Sequence, residues 1–268
     1  MSKKLFFLST ISFSLFLIFS GCKKGKDISK ESPKADFLFR NINSESFKVG
    51  TNDTLVLANA SKGFNAVRWN LGNGTIATGK NVLCSFSKPG TYTVTLTVKS
   101  ENGDSSAIQK KIVVADRILK KIIIKSVFWD TKSDDIDNFN YLWPADNKAD
   151  LNIKLQSYTQ GDVIQHGILI NSPVLYASSP IKNVSNKTEI PLEISVAKRV
   201  VLDKKMIMDR SLVLSLIAKD TAGKEYDIMS NRDFGSSWQI EREDIDNNIF
   251  VVSCKLFSVI ELIGGYDE

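Results

Sequence analysis

One histidine, three cysteines and 30 acidic side chains are the groups of this 268-residue chain that could do acid–base, nucleophilic or metal chemistry. His166 sits inside "VIQHGILI". On strand alternation it shares a face with Ile164 and Ile168, which reads as a structural histidine. The serines are numerous, but none lies in a Gly-x-Ser-x-Gly elbow, and no Gly-rich phosphate loop is present. Asp134, Asp135 and Asp137 gather in "SDDID", where a solvated charge run is favoured over a cation site. Cys22, Cys84 and Cys254 have no Cys/His spacing for zinc. Carboxylate pairs for glycoside hydrolysis are assembled in space, and nothing in the residue order singles out a pair. The expectation is a non-enzymatic protein with no resident cofactor.

Composition sets the frame. A chain of 268 residues with 43% hydrophobic content has room for one large domain or two modest ones with real cores. The formal charge is +5, but two of its lysines, Lys3 and Lys4, lie in a segment read below as removed. The rest holds 33 basic against 30 acidic residues, net +3, too small and too evenly spread a bias to argue for nucleic acid.

Residues 1–21, "MSKKLFFLSTISFSLFLIFSG", place two lysines before an apolar run of about fifteen residues, the pattern of a secretory signal and short for a membrane span. Ser20 and Gly21 then precede Cys22. This order resembles the bacterial lipobox, with Phe19 where leucine is usual. The resemblance implies diacylglyceryl attachment at Cys22 and residence in the outer membrane. Residues 22–34 are polar and lysine-rich, a flexible tether. An acidic cluster after the cysteine resembles a surface-export signal in Bacteroidetes-type lipoproteins. Lys23 and Lys24 stand in that place, which points to the periplasmic face.

Residues 35–115 read as short strands. Apolar runs are separated by "GNG", "KPG" and "ENGD", turn signals with glycine available for positive φ. Val67 and Trp69 alternate with Arg68, and Val82, Cys84 and Phe86 share one face. Tyr92, Val94, Leu96 and Val98 face away from Thr91, Thr93, Thr95 and Thr97. Period-two patterning at this spacing predicts a β-sandwich. "WNLGNG", "FSKPGTYTVTLTV" and the closing "KKIVV" resemble the polycystic-kidney-disease-type (PKD) domain. Asn70 and Asn73 stand where that family has acids, Leu71 replaces Phe, and Phe86 replaces the first Tyr. The resemblance implies an immunoglobulin-like spacer or interaction module.

Residues 116–268 open with "ILKKIIIKSVFW" and continue through "LNIKLQ", "VIQHGILI", "PVLYAS", "EIPLEIS", "SLVLSLIAKD", "EYDIM", "SWQIE" and "IFVVSCKLFSVIEL". No long helical period stands out, and β-branched content favours strands to the end. The fold class expected is therefore all-β, with two β-sandwiches in tandem. Cys84 and Cys254 then fall in different sandwiches and read as buried free thiols. "ADLNIKL" and "LIAKDTAGKEYDIM" resemble the synaptotagmin-type calcium- and lipid-binding sandwich. That resemblance implies Asp146, Asp150, Asp220 and Asp227 as calcium ligands, since calcium needs six to eight oxygens. Thr221 and Ala222 stand where a second acid is expected.

Two further features are on the loops. "DTL" and "DTA" resemble the Asp–Thr–apolar acceptor of Bacteroidetes O-glycosylation, which implies sugar on Thr54 and Thr221. "NFNYLWP" puts Phe139, Tyr141 and Trp143 in one loop, and each exposed large apolar side chain costs about 1.5–3 kcal/mol. They either fold back as a plug, the favoured reading, or form a contact surface for a glycan or a partner. The function expected is an interaction or scaffold lipoprotein of the cell envelope. The alternatives are a carbohydrate-binding accessory of a glycan-utilisation system and a calcium-dependent binding sandwich.

Overall fold

The computed structural model describes residues 32–129, 142–165, 168–231, 238–255 and 258–267. The chain enters at β1 (Phe37–Phe39), followed by β2 (Ser46–Gly50), β3 (Leu55–Asn59), β4 (Ala66–Asn70), β5 (Ile76–Ala77), β6 (Asn81–Cys84) and β7 (Gly90–Lys99). Strands β1, β3 and β6 form one antiparallel sheet. Strands β5, β4 and β7 form the second and pair with β8 (Ser105–Ser126), against which β2 runs parallel. The expected faces are the observed ones. Trp69, Val94, Leu96 and Val98 are fully buried between the sheets with Phe37, Phe39, Leu55 and Leu57. Asn70 and Asn73 cap the "GNG" turn, accepting from the N–H groups of Gly72 and Thr75 at 3.0 Å. Gly72 has φ +78°, and a Cβ there would lie 2.6 Å from the Thr93 carbonyl oxygen.

Strand β8 is 22 residues long and does not stop at residue 115. Its first half, through Ile112 and Val114, faces the first core, and its second half, through Leu119, Ile122 and Ile124, faces another. The step from Leu119 to Ile122 breaks strict alternation. The extra residue is Lys120 on β8: Ile263 and Gly264 of the partner strand face Lys121 and Leu119. Gly264 is required there, because a Cβ would sit 2.6 Å from the Ile118 carbonyl oxygen.

The second half of the chain contributes β9 (Ala149–Ser157), β10 (Val163–Gln165), β11 (Ile168–Ile170), β12 (Val174–Ala177), β13 (Ile181–Val184) and β14 (Leu192–Ser195). After the five-residue α1 (Lys204–Met208) come β15 (Leu212–Lys219), β16 (Glu225–Ser230), β17 (Gln239–Asp244), β18 (Ile249–Lys255) and β19 (Val259–Asp267). One sheet runs β12–β9–β15–β16 with β13 also on β9, and the other carries β17–β18–β19–β8 with β14 on β8. Between them lie Leu151, Ile153, Leu155, Leu214, Leu216, Phe250, Val252 and Leu262. The fold is all-β and two sandwiches are present. "VIQHGILI" is a hairpin of β10 and β11 and not one strand, and His166 lies outside the described residues. Helix α1 had no periodic signal in the sequence, being too short to show one. Asp203 caps it by accepting from the Lys205 N–H.

Candidate functional site

Trp129, three residues past the end of β8, meets Trp143 edge-on, with ring centroids 4.5 Å apart. Trp143 therefore sits at the far end of β8, opposite the end where the Ala35 N–H bonds the Ser106 hydroxyl. Three connections meet beside it: the start of β9, the β13 strand and the β15–β16 turn. Between them is an open cavity of about 460 Å³ lined by Lys148, Ala149, Asp150, Lys182, Asn183, Lys219, Asp220, Thr221 and Gly223.

Strand pairing places these residues. Lys219 pairs with Asp150 across β15 and β9, and Lys219 pairs with Glu225 at the mouth of the β16 turn. Asp220 opens that turn, its backbone N–H bonding the Lys224 carbonyl and its Oδ1 accepting from the Lys224 N–H at 2.8 Å. Tyr226 donates to Asp220 Oδ2 at 3.2 Å. These bonds, led by the Lys224 N–H, hold the Asp220 carboxyl below the usual carboxylate range. Asp150 accepts from Lys182 Nζ at 2.6 Å and from the Asn183 N–H at 3.2 Å. The lysine bond leads in holding its carboxyl down.

The residues singled out in the sequence fall as follows. Asp150, Asp220 and Thr221 line this cavity, and Asp146 joins them by accepting from the Thr221 hydroxyl at 3.1 Å. Asp227 does not join. It is buried on β16 opposite Ile217, two pairs in from the turn. The calcium set is thus not assembled. Asp150 is bonded by the Lys182 ammonium and the Asn183 N–H, and Asp220 by the Lys224 N–H and the Tyr226 hydroxyl. Among the described residues no three His, Cys, Asp or Glu side chains are placed to hold a metal ion. Trp143 is 1% exposed, in the core and not on a sugar-facing platform. Cys22, Phe139, Tyr141, Asp134, Asp135 and Asp137 lie outside the described residues. Thr54 is exposed between β2 and β3, as is Thr221. Cys84 and Cys254 are buried thiols outside any disulfide.

The sequence did not reveal Lys148, Lys182, Lys219 and Asn183 as cavity residues. The order "KDTAGKE" signals the turn, but nothing in it shows which strands bring Lys182 alongside. It also did not reveal the junction of the two sandwiches. Arg117 is fully buried midway along β8. Its Nη2 reaches Asp53 Oδ2 and Glu243 Oε1, each at 2.5 Å, its Nε donates to Glu243 at 3.0 Å, and its Nη1 donates to the Thr51 carbonyl. The guanidinium lies over the rings of Phe250 and Tyr266. Burial works against its charge, but Asp53 and Glu243 outweigh that and raise its pKa. Lys204 adds a bond to Glu243 at 2.6 Å, and Asn52 one to Asp203 at 3.1 Å. The charged pair "DR" inside the apolar run "VVADRIL" was the available signal: a charge there needs a buried partner.

Parts of the chain are similar to known proteins. Residues 31–115 match the family model of the PKD domain. The PKD1 domain of Vibrio anguillarum Epp shares 24% identity, covering 32% of this chain and 95% of that one, with a TM-score of 0.27. The PKD1 domain of the Vibrio cholerae metalloprotease PrtV shares 30%, covering 31% and 98%, with a TM-score of 0.25. SGBP-B of the Bacteroides ovatus mixed-linkage glucan utilization locus, solved in complex with a mixed-linkage heptasaccharide, shares 12%, covering 75% and 46%, with a TM-score of 0.25. No curated protein matches the chain. The matched residues are those of the sandwich built around Trp69, closed by the "GNG" turn and the Tyr92–Val98 strand, and residues 31–115 belong to the PKD domain family.

Proposed function

We infer that the chain is an envelope lipoprotein, anchored in the outer membrane through Cys22 and facing the periplasm. In it the PKD domain holds the second sandwich at a fixed distance and angle for contact with a protein partner. The carrying observation is the unbroken β8 with Arg117 bonded to both sandwiches. At about 3.3 Å per residue, 22 residues extend about 70 Å. A continuous strand and an ion cluster around the buried Arg117 resist bending, which a spacer needs and a flexible linker lacks. The loop cavity lies at the end of β8 away from where the described chain begins, so a tether at the N-terminus leaves it free for contact.

The test is crosslinking followed by pull-down of the tagged full-length protein from native membranes, beside a Cys22→Ser variant. The reading expects a stoichiometric envelope protein with the wild type and release of the variant from the membrane fraction. Recovery of the protein alone, or a variant that stays in the membrane, overturns it.

A further inference from the structure

We propose that the cavity between the start of β9, β13 and the β15–β16 turn binds a neutral saccharide, gripped through its hydroxyl groups. The argument is one of lining chemistry. Among the described residues, Ala149 and Gly223 are the only apolar members of the wall, and none of them brings an aromatic ring into it. Nothing there would hold an acyl chain or stack on a flat base. Three lysines face in, but so do two carboxylates, and both acids are held in the ionised form by bonds from Lys182, Asn183, Lys224 and Tyr226. A bare anion would meet Asp150 and Asp220, and a bare cation would meet Lys148, Lys182 and Lys219. A hydroxyl group both donates and accepts, so a ligand dense in hydroxyls satisfies both kinds of wall.

The wall is also organised before any ligand arrives. Asp150 is fixed by two bonds from β13, and Asp220 by two from its own turn. Each carboxylate oxygen carries two lone pairs, so a bonded oxygen still has room for a ligand hydroxyl. Lys148 and Lys219 stand on the rim as donors, Lys219 with only a 3.7 Å approach to Glu225. Thr221 and Asn183 supply further short polar groups. The volume, about 460 Å³, is within the range of small-ligand sites. This proposal goes beyond the scaffold reading and does not rest on the membrane anchor.

The test uses the full-length protein on an array of neutral and acidic oligosaccharides, at low salt and at 0.5 M NaCl. Alongside it run a Lys148→Ala/Lys219→Ala double variant and Asp220→Asn. The double variant changes two exposed side chains and should keep the wild-type melting temperature. The expected result is binding to at least one neutral glycan that survives high salt and weakens about tenfold in each variant, the size of one or two lost polar contacts. Three results overturn the proposal: binding to acidic glycans alone that vanishes in salt, neutral-glycan binding that the variants leave unchanged, or no glycan binding at all. Loss of partner recovery in the pull-down would leave this result untouched, so the two readings fail separately.

Discussion

Arg117 Nη2 lies 2.5 Å from Asp53 Oδ2, so strand β8 is bonded to the loop between β2 and β3. Asp53 is on the loop after β2, in the PKD domain. Arg117 is on β8, where that strand has passed beyond the matched residues 31–115. The same guanidinium bonds Glu243 on β17. One buried side chain therefore joins an acid of each sandwich, and Gly50 beside it leaves no room for error. A Cβ on Gly50 would lie 2.4 Å from the guanidinium nitrogens. The junction is packed as a core is packed, with charge in place of methyl groups.

Arg117→Ala should cost about 3–5 kcal/mol, because it takes the buried counter-charge from Asp53 and leaves Glu243 with Lys204 alone. Urea unfolding is the measurement. The two sandwiches share β8, so wild type should unfold in one transition. The variant should show either a lower midpoint or two separated steps. A midpoint within the error of wild type would mean that water replaces the guanidinium at no cost, and the junction would not be a clamp.

The sandwich cores were legible and this junction was not, for a physical reason. Trp69, Val94, Leu96 and Val98 announce themselves because a strand alternates and one side of it is buried. The run 249–262 was legible as strand through β-branched content alone, but it is two strands, Ile249–Lys255 and Val259–Asp267, which the content did not separate. Strand β8 hides its double role because its apolar phase slips between Leu119 and Ile122, at a bulge no local residue advertises. A residue order that changes core halfway reads as the end of one domain and the start of another. The cavity is a harder case. Asp150 and Asp220 were visible as loop acids, but Lys182 reaches Asp150 only through the pairing of β13 with β9. Long-range pairing is not written in any one segment.

Acid should weaken the junction in a defined window. Burial disfavours the Glu243 carboxylate, but the bonds from Lys204 and Arg117 outweigh it, so its folded pKa is lowered. A group lowered in the folded state contributes stability above its unfolded pKa, about 4.3 for glutamate. That contribution is lost as pH falls through the folded value. Stability measured between pH 6 and pH 3 should therefore drop, and the drop should be shallower in Glu243→Gln. Four other acids, Asp150, Asp220, Glu241 and Asp244, are also lowered and act in the same direction. The difference between wild type and variant isolates Glu243. Equal slopes would show that its bonds do not survive in solution.

The two described cysteines should be silent in the native protein. Burial pushes the Cys84 thiol up to about 11, so at pH 8 only about one molecule in a thousand carries the reactive thiolate. Cys254 is fully buried on β18. In a Cys22→Ser background, an aromatic disulfide reagent at pH 8 should label no thiol in buffer and two in denaturant. Labelling of either thiol in the native state would place it nearer the surface than the sandwiches put it. Fewer than two in denaturant without reductant would reveal a disulfide.

Trp143 separates a structural aromatic from a binding one. It is 1% exposed and packs edge-on against Trp129, and its indole N–H has no hydrogen-bond partner among the described residues. Trp143→Ala should cost about 3–5 kcal/mol as a buried ring is lost. Trp143→Phe keeps a ring and removes the unpaired donor, so it should cost much less than the alanine change. Neither change touches the cavity wall, so the phenylalanine variant should keep wild-type glycan binding on the array. If it folds normally and loses that binding, the ring sits in the contact surface, and the cavity of Asp150 and Asp220 is the wrong place to look.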